Sequence, residues 1–128
     1  MNKDIKILVI DDEEDFRQVM KVWLESRGYE VITAPDGESG VEKVKKDKPD
    51  IVFVDSRMPG MDGTETIKHI RKKNRKVPII VISSYVGDLK MKQVVARGIS
   101  GVFRKDQDFE KGAALLETAL RNHKKLKS

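Results

Sequence analysis

The chain contains no cysteine. That excludes a disulfide scaffold, a Cys-ligated zinc site and thiol catalysis. No apolar stretch approaches the roughly 18 residues that cross a bilayer. The opening residues, Met1 to Lys6, lead straight into a strand-like segment rather than a secretory leader. A cytoplasmic protein without a membrane partner is the expectation. Aromatic residues make up only 5% of the chain, and none interleaves with its basic runs, which argues against single-stranded nucleic acid as a ligand. Internal repeats and low-complexity linkers are also absent. Residues 1–128 are therefore expected to form one domain, with an ordered core over about 5–123 and fraying ends.

What is present is charge and short apolar runs. The 128 residues carry 26 Lys+Arg against 21 Asp+Glu, a net +5, and 38% are hydrophobic, enough for a core. Positive charge gathers in Lys43–Lys48, Lys68–Lys76 and Arg121–Lys127. Solvated helix faces and a basic tail account for these runs more simply than nucleic acid or an acidic partner does. The acidic block from Asp11 to Asp15 is more unusual.

Five apolar runs punctuate the chain: Ile5–Ile10, Tyr29–Thr33, Ile51–Val54, Pro78–Ile82 and Gly101–Arg104. Several are nearly continuous in Ile, Val and Phe, the pattern of strands buried on both faces of a parallel sheet. Helical spacing lies between them. Phe16, Val19, Met20, Trp23 and Leu24 share one face, with Gly28 as the cap. Val41 and Val44, then Thr66, Ile67 and Ile70, mark two more helices. Leu89, Met91, Val94 and Val95 mark a fourth, ending at Gly98, and Leu115, Leu116, Ala119 and Leu120 mark the last. Such alternation implies right-handed βαβ units and an open parallel sheet covered on both faces.

Sites in such sheets form beyond the carboxyl ends of the strands. Asp11 and Asp12 follow the first run, Asp55 the third, Ser83 and Ser84 the fourth, and Lys105 the fifth. Any one of these could be an ordinary turn or cap residue, and the acids after Asp11 could serve a helix dipole. Their convergence on one sheet edge weakens that explanation. Carboxylates from two strands offer the hard oxygens that Mg²⁺ requires. An aspartate beside such an ion can attack phosphorus. A lysine and a hydroxyl can then neutralise the transferred phosphoryl oxygens.

With these residues placed, the sequence resembles the receiver domain of two-component response regulators, the chemotaxis-regulator type. The likeness spans Lys6 to Arg121. It rests on Ile7 to Glu13, on Pro49 to Asp55 followed by Met58 to Gly63, on Pro78 to Ser84, and on Gly98 to Lys105. The resemblance implies a flavodoxin-like three-layer α/β fold, with a five-stranded parallel sheet in order 2-1-3-4-5 and five helices. It implies that Asp55 is the phosphoacceptor and that Asp11, Asp12, Asp55 and the Arg57 backbone carbonyl hold Mg²⁺, with Asp12 the more direct ligand. Ser83, the Ser84 backbone N–H and Lys105 would contact the phosphoryl group. The donor would be a sensor histidine kinase or a phosphotransfer protein. A downstream protein would bind the face formed by the fourth helix, fifth strand and fifth helix, including Lys90, Arg104 and Lys111. The chain would be a signalling switch rather than a metabolic enzyme, catalysing its own phosphorylation and dephosphorylation.

Three positions depart from the family pattern. Ser83 stands where Thr is commoner. Val102 occupies the aromatic switch position, and the neighbouring Phe103 should face the other way on a strand. Asp106 replaces a proline, which predicts a trans Lys105–Asp106 bond and a shifted loop, and places Asp106 to compete for the Lys105 ammonium. These changes motivate an alternative, a pseudo-receiver acting as a constitutive interaction module. A phosphohydrolase is less favoured for want of a His or Glu general acid. Direct nucleic-acid binding is not expected, because no helix-turn-helix output domain follows the last helix. Arg57 and Tyr85 sit where the family varies the lifetime of its phosphate.

Overall fold

Each apolar run becomes a strand: β1 (Lys6–Ile10), β2 (Glu30–Ala34), β3 (Ile51–Asp55), β4 (Ile79–Ser83) and β5 (Gly101–Arg104). The computed structural model describes residues 4–84 and 98–123. All strand pairs are parallel and the order is β2-β1-β3-β4-β5, the flavodoxin-like arrangement expected. Four helices lie among the described residues: α1 (Glu14–Ser26), α2 (Gly37–Asp47), α3 (Gly63–Lys73) and α4 (Phe109–Asn122). The helix expected around Leu89, Met91, Val94 and Val95 lies outside the described residues, as do Tyr85 and Lys90.

The two-residue period of a strand divides the core. Ile7, Val9, Phe53, Ile80, Ile82 and Phe103 point to one face, where Met20 and Leu24 of α1 and Leu116 and Leu120 of α4 cover them. Leu8, Ile10, Val52, Val54, Ile79 and Val81 point to the other, beneath Val44 of α2 and Ile67 and Ile70 of α3. Both faces are apolar, so β1, β3 and β4 show no polar alternation. Each fully buried side chain of this size stabilises the fold by about 1.5–3 kcal/mol. Trp23 of α1 stacks on Phe109 of α4 with ring centroids 4.7 Å apart, tying together the two helices of one face.

Helix ends follow local chemistry. Asp36, Asp62 and Asp108 are the N-caps of α2, α3 and α4, and each side chain accepts from a backbone amide of the first turn, those of Ser39, Glu65 and Lys111. Arg71 closes the other end of α3. Its guanidinium donates to the carbonyls of Asn74, Val77 and Gly98, joining α3 to the chain entering β4 and β5.

The start of α3 is pressed against the end of β3. The Gly63 amide donates to the Ser56 carbonyl at 3.2 Å. A Cβ on Gly63 would lie 2.5 Å from the Asp55 carbonyl oxygen and 2.7 Å from the Ser56 Cα, both backbone atoms that cannot rotate away. Gly63→Ala is therefore expected to lower the unfolding free energy by about 1–3 kcal/mol, read from urea denaturation. A wild-type midpoint in this variant would show that α3 can move away from Asp55 freely.

Candidate functional site

The strand period that divides the core also gathers the charges. Continuing Ile7 and Val9 on β1 reaches Asp11, continuing Ile51 and Phe53 on β3 reaches Asp55, and continuing Phe103 on β5 reaches Lys105. These three residues meet. The Lys105 Nζ is 3.1 Å from Asp11 Oδ2 and 3.4 Å from Asp55 Oδ2. Asp11 and Asp55 are buried, and Asp12 beside them is exposed. One carboxylate oxygen from each of Asp11, Asp12 and Asp55 lies within 4.8 Å of the others.

Backbone contacts set the carboxylates. The Asp11 amide donates to the Ala34 carbonyl at 3.1 Å, and Arg17 donates to the Asp11 carbonyl at 2.8 Å. Asp11 Oδ1 accepts from the Glu13 amide at 2.8 Å, an Asx-type turn that aims the side chain across the sheet edge. Asp55 Oδ1 accepts from the Arg57 amide at 3.2 Å. The Lys105 amide donates to the Ser83 carbonyl at 2.8 Å, which holds the lysine at the level of the β4 end. Beside the acids opens a groove of about 490 Å³ lined by Asp12, Ser56, Arg57, Met58, Pro59 and Asp62.

Burial, then the charge of Asp11, pushes the Asp55 carboxyl up to about 7. Burial also raises Asp11, against the opposing Glu13 amide and Lys105. Burial disfavours the charge on Lys105, but the hydrogen bond to Glu13 and the charges of Asp11 and Asp55 outweigh it and push the ammonium up to about 12. Asp11, Asp55 and Glu13 all pair with Lys105, and the buried Asp11 Oδ2 meets that ammonium at 3.1 Å but accepts no hydrogen bond. A hard divalent cation fits this oxygen-only donor set.

Ser83 and Val102 lie elsewhere in the alternation. Ser83 continues Ile79 and Val81, and Val102 packs on the α2–α3 side of the sheet. Phe103 is fully buried on the opposite face, as expected from the strand period. Ser84 is exposed at the end of β4 and Arg57 is exposed beside Asp55. The Lys105–Asp106 peptide is trans.

One expectation is corrected. Asp106 does not compete for Lys105. Its carboxylate pairs with Arg104 at 2.6 Å, in the turn that follows β5. The extra partner of Lys105 is Glu13, and the ammonium also sits 4.7 Å from the Phe16 ring centroid. Neither residue was singled out from sequence as part of the site. Glu13 was legible only as one of five consecutive acids, and Phe16 only as a core position of α1.

A family model, "Response regulator receiver domain", matches residues 7–117. The Bacillus subtilis alkaline phosphatase synthesis transcriptional regulatory protein PhoP is 42% identical over 84 residues, covering 66% of this chain and 34% of that protein. The probable transcriptional regulator ycf27 of Galdieria sulphuraria is 40% identical over 84 residues, 66% of this chain and 32% of that one. The match thus spans about a third of the length of these relatives. Among solved structures, the Thermotoga maritima response regulator TrrA in complex with Mg²⁺-BeF superposes with a TM-score of 0.84 at 31% identity, covering 91% of this chain and 99% of that one. The Vibrio cholerae chemotaxis protein CheY4 gives 0.84 at 30% identity, covering 91% and 98%.

The raised Asp55 carboxyl has a consequence for stability. The folded group holds its proton up to about pH 7, whereas a free carboxyl releases it near 3.8. Folding therefore takes up a proton between these values, and stability falls as pH rises through them. Asp55→Asn removes the cost of the buried charge. In EDTA at pH 8 the variant is expected to be more stable than wild type by about 1–3 kcal/mol. The gap should close as pH falls to 4, measured by thermal melts across the range. A gap independent of pH would assign the effect to packing instead.

Proposed function

The chain belongs to the response regulator receiver domain family, and on that premise we propose that it is a phosphorylation-controlled switch with Asp55 as the phosphoacceptor. The observation that carries this reading is the meeting of Asp55, Asp11, Asp12 and Lys105 at one sheet edge. A phosphohistidine on a sensor histidine kinase or phosphotransfer protein is the donor. An Asp55 carboxylate oxygen attacks its phosphorus, the P–N bond breaks, and an acyl phosphate forms. Water later attacks that phosphorus and restores the carboxylate.

Each neighbour has a part in this transfer. Asp11, Asp12, Asp55 and the Arg57 carbonyl would hold Mg²⁺, which neutralises phosphoryl charge and keeps Asp55 ionised. The Mg²⁺-BeF complex of the Thermotoga maritima relative supports that cation. The Arg57 amide orients the Asp55 carboxylate. Lys105 leaves its carboxylates to pair with the incoming phosphoryl oxygens, assisted by the Ser83 hydroxyl and the Ser84 amide. Residues 1–128 act here as one receiver unit in the cytoplasm. Among the described residues no helix is long and apolar enough to cross a membrane. The surface switched is the one around β5 and α4. Arg104 and Lys111 lie there, suited to an acidic protein partner.

Val102 favours a second reading. The aromatic position carries a valine packed on the α2–α3 side, so movement at Ser83 has no ring to turn. In that case the fold serves as a constitutive interaction module. Intact mass after incubation with acetyl phosphate and Mg²⁺ is expected to show one phosphoryl adduct, absent in Asp55→Asn and in EDTA. An adduct of equal yield on Asp55→Asn would place the acceptor elsewhere. With beryllofluoride and Mg²⁺, amide shifts spreading over residues 98–110 support the switch, and shifts confined to the neighbours of Asp55 support the constitutive module.

A further inference from the structure

Helix α1 begins unlike the other three. Its N-cap is Glu13, and that side chain makes no cap hydrogen bond, although aspartates cap α2, α3 and α4 in the ordinary way. Glutamate lies outside the preferred N-cap set of Asn, Asp, Ser, Thr and Gly. The Glu13 carboxylate instead reaches across the sheet edge to the Lys105 ammonium. One turn further, Phe16 presents its ring to the same ammonium at 4.7 Å, within cation–π range. The lysine side chain is 14% exposed and that of Glu13 is 59% exposed. The ammonium therefore lies at the rim, between the buried acids and a partner on the solvent side.

We propose that Glu13 and Phe16 form a resting slot for Lys105, and that Glu13 is a positioning residue that makes Asp55 and Asp11 available to a divalent cation. This rests on the receiver reading above and adds a regulator of the same site. Lys105 is the internal counter-cation of Asp11 and Asp55. A metal ion arriving at those carboxylates competes with it for the same oxygens. With Glu13 present, the ammonium keeps a carboxylate and an aromatic face when it gives up Asp55. Without Glu13, its remaining carboxylates are the ones the metal needs. Glu13 thus shifts the competition toward the metal, and does so through Lys105.

That route separates the slot from simple long-range attraction. A negative charge near the site would draw in Mg²⁺ whether or not Lys105 were present, and Glu14 at the next position would do so comparably. The test is an Mg²⁺ titration of the full chain, followed through the amide shifts of Asp55 and Arg57, in wild type, Glu13→Gln, Glu14→Gln, Lys105→Met and the Glu13→Gln/Lys105→Met double variant. Circular dichroism checks that each is folded. Glu13→Gln is expected to raise the Mg²⁺ dissociation constant about 3–10-fold. Glu14→Gln should change it less than 2-fold, and Glu13→Gln should have little further effect once Lys105 is methionine. An equal factor in both lysine backgrounds, or equal effects of Glu13→Gln and Glu14→Gln, overturns the slot while leaving the receiver reading intact. Wild type that binds no Mg²⁺ and takes no phosphoryl group from acetyl phosphate overturns both.

Discussion

Everything at the carboxyl edge of the sheet answers to one constraint: two buried carboxylates, Asp11 and Asp55, lie beside a third acid, Asp12, and both pair with the Lys105 ammonium. Burial disfavours both carboxylate charges, and the charge of Asp11 adds to this at Asp55. Asp55 is thereby pushed up to about 7, while burial opposes the Lys105 charge but Glu13, Asp11 and Asp55 outweigh it and push that ammonium up to about 12. The fold tolerates this because Asp11 also takes a hydrogen bond from the Glu13 amide and Asp55 takes one from the Arg57 amide. What balances the cluster is the ammonium of Lys105, whose side chain is 14% exposed at the rim. A pocket in which several carboxylates lie around one ammonium is suited to gaining a cation.

The scaffold delivers this cluster through elementary geometry. In a parallel sheet every strand ends at the same edge, and side chains two apart share a face. Asp11, Asp55 and Lys105 each continue the face covered by α1 and α4, so they converge without any special loop. Ser83 and Val102 continue the opposite face, over which α2 and α3 pack. Helix polarity arranges the remaining charge. Acids occupy the first turns of all four described helices, and bases occupy the last turns of α2, α3 and α4. Each sign faces the helix end whose dipole it stabilises. The basic runs at Lys43–Lys48 and Lys68–Lys76 fall at the ends of α2 and α3, so helix electrostatics accounts for much of a feature that would otherwise suggest a polyanionic ligand.

Most of this was legible in the amino-acid order. Continuous Ile and Val runs announced doubly covered strands because neither face of those strands meets water. The residues after the first, third and fifth runs, Asp11, Asp55 and Lys105, meet because strand direction brings them to one edge. Helix spacing located Met20, Leu24, Ile67, Ile70, Leu116 and Leu120 in the core, where they are buried. Glu13 was not legible as a partner of Lys105, since five consecutive acids look alike until a helix start is chosen among them. For Asp106 the opposite holds: adjacency in sequence suggests a contact with Lys105, but in the turn after β5 its carboxylate pairs with Arg104.

The sequence by itself therefore determined the periodic facts: which segments are strands, which helix faces are apolar, and which acids and which lysine end up at one edge. Those depend on spacing along the chain, and spacing is what a sequence records. The tertiary structure decided which acid partners which base. Glu13 finds Lys105 across 92 positions, and Arg104 rather than Lys105 takes Asp106. It also decided that Gly63 must lack a side chain, because the start of α3 abuts the Asp55 and Ser56 backbone. Such choices are set by ångström-scale distances between elements remote in sequence, and those distances exist only once the sheet and helices have packed.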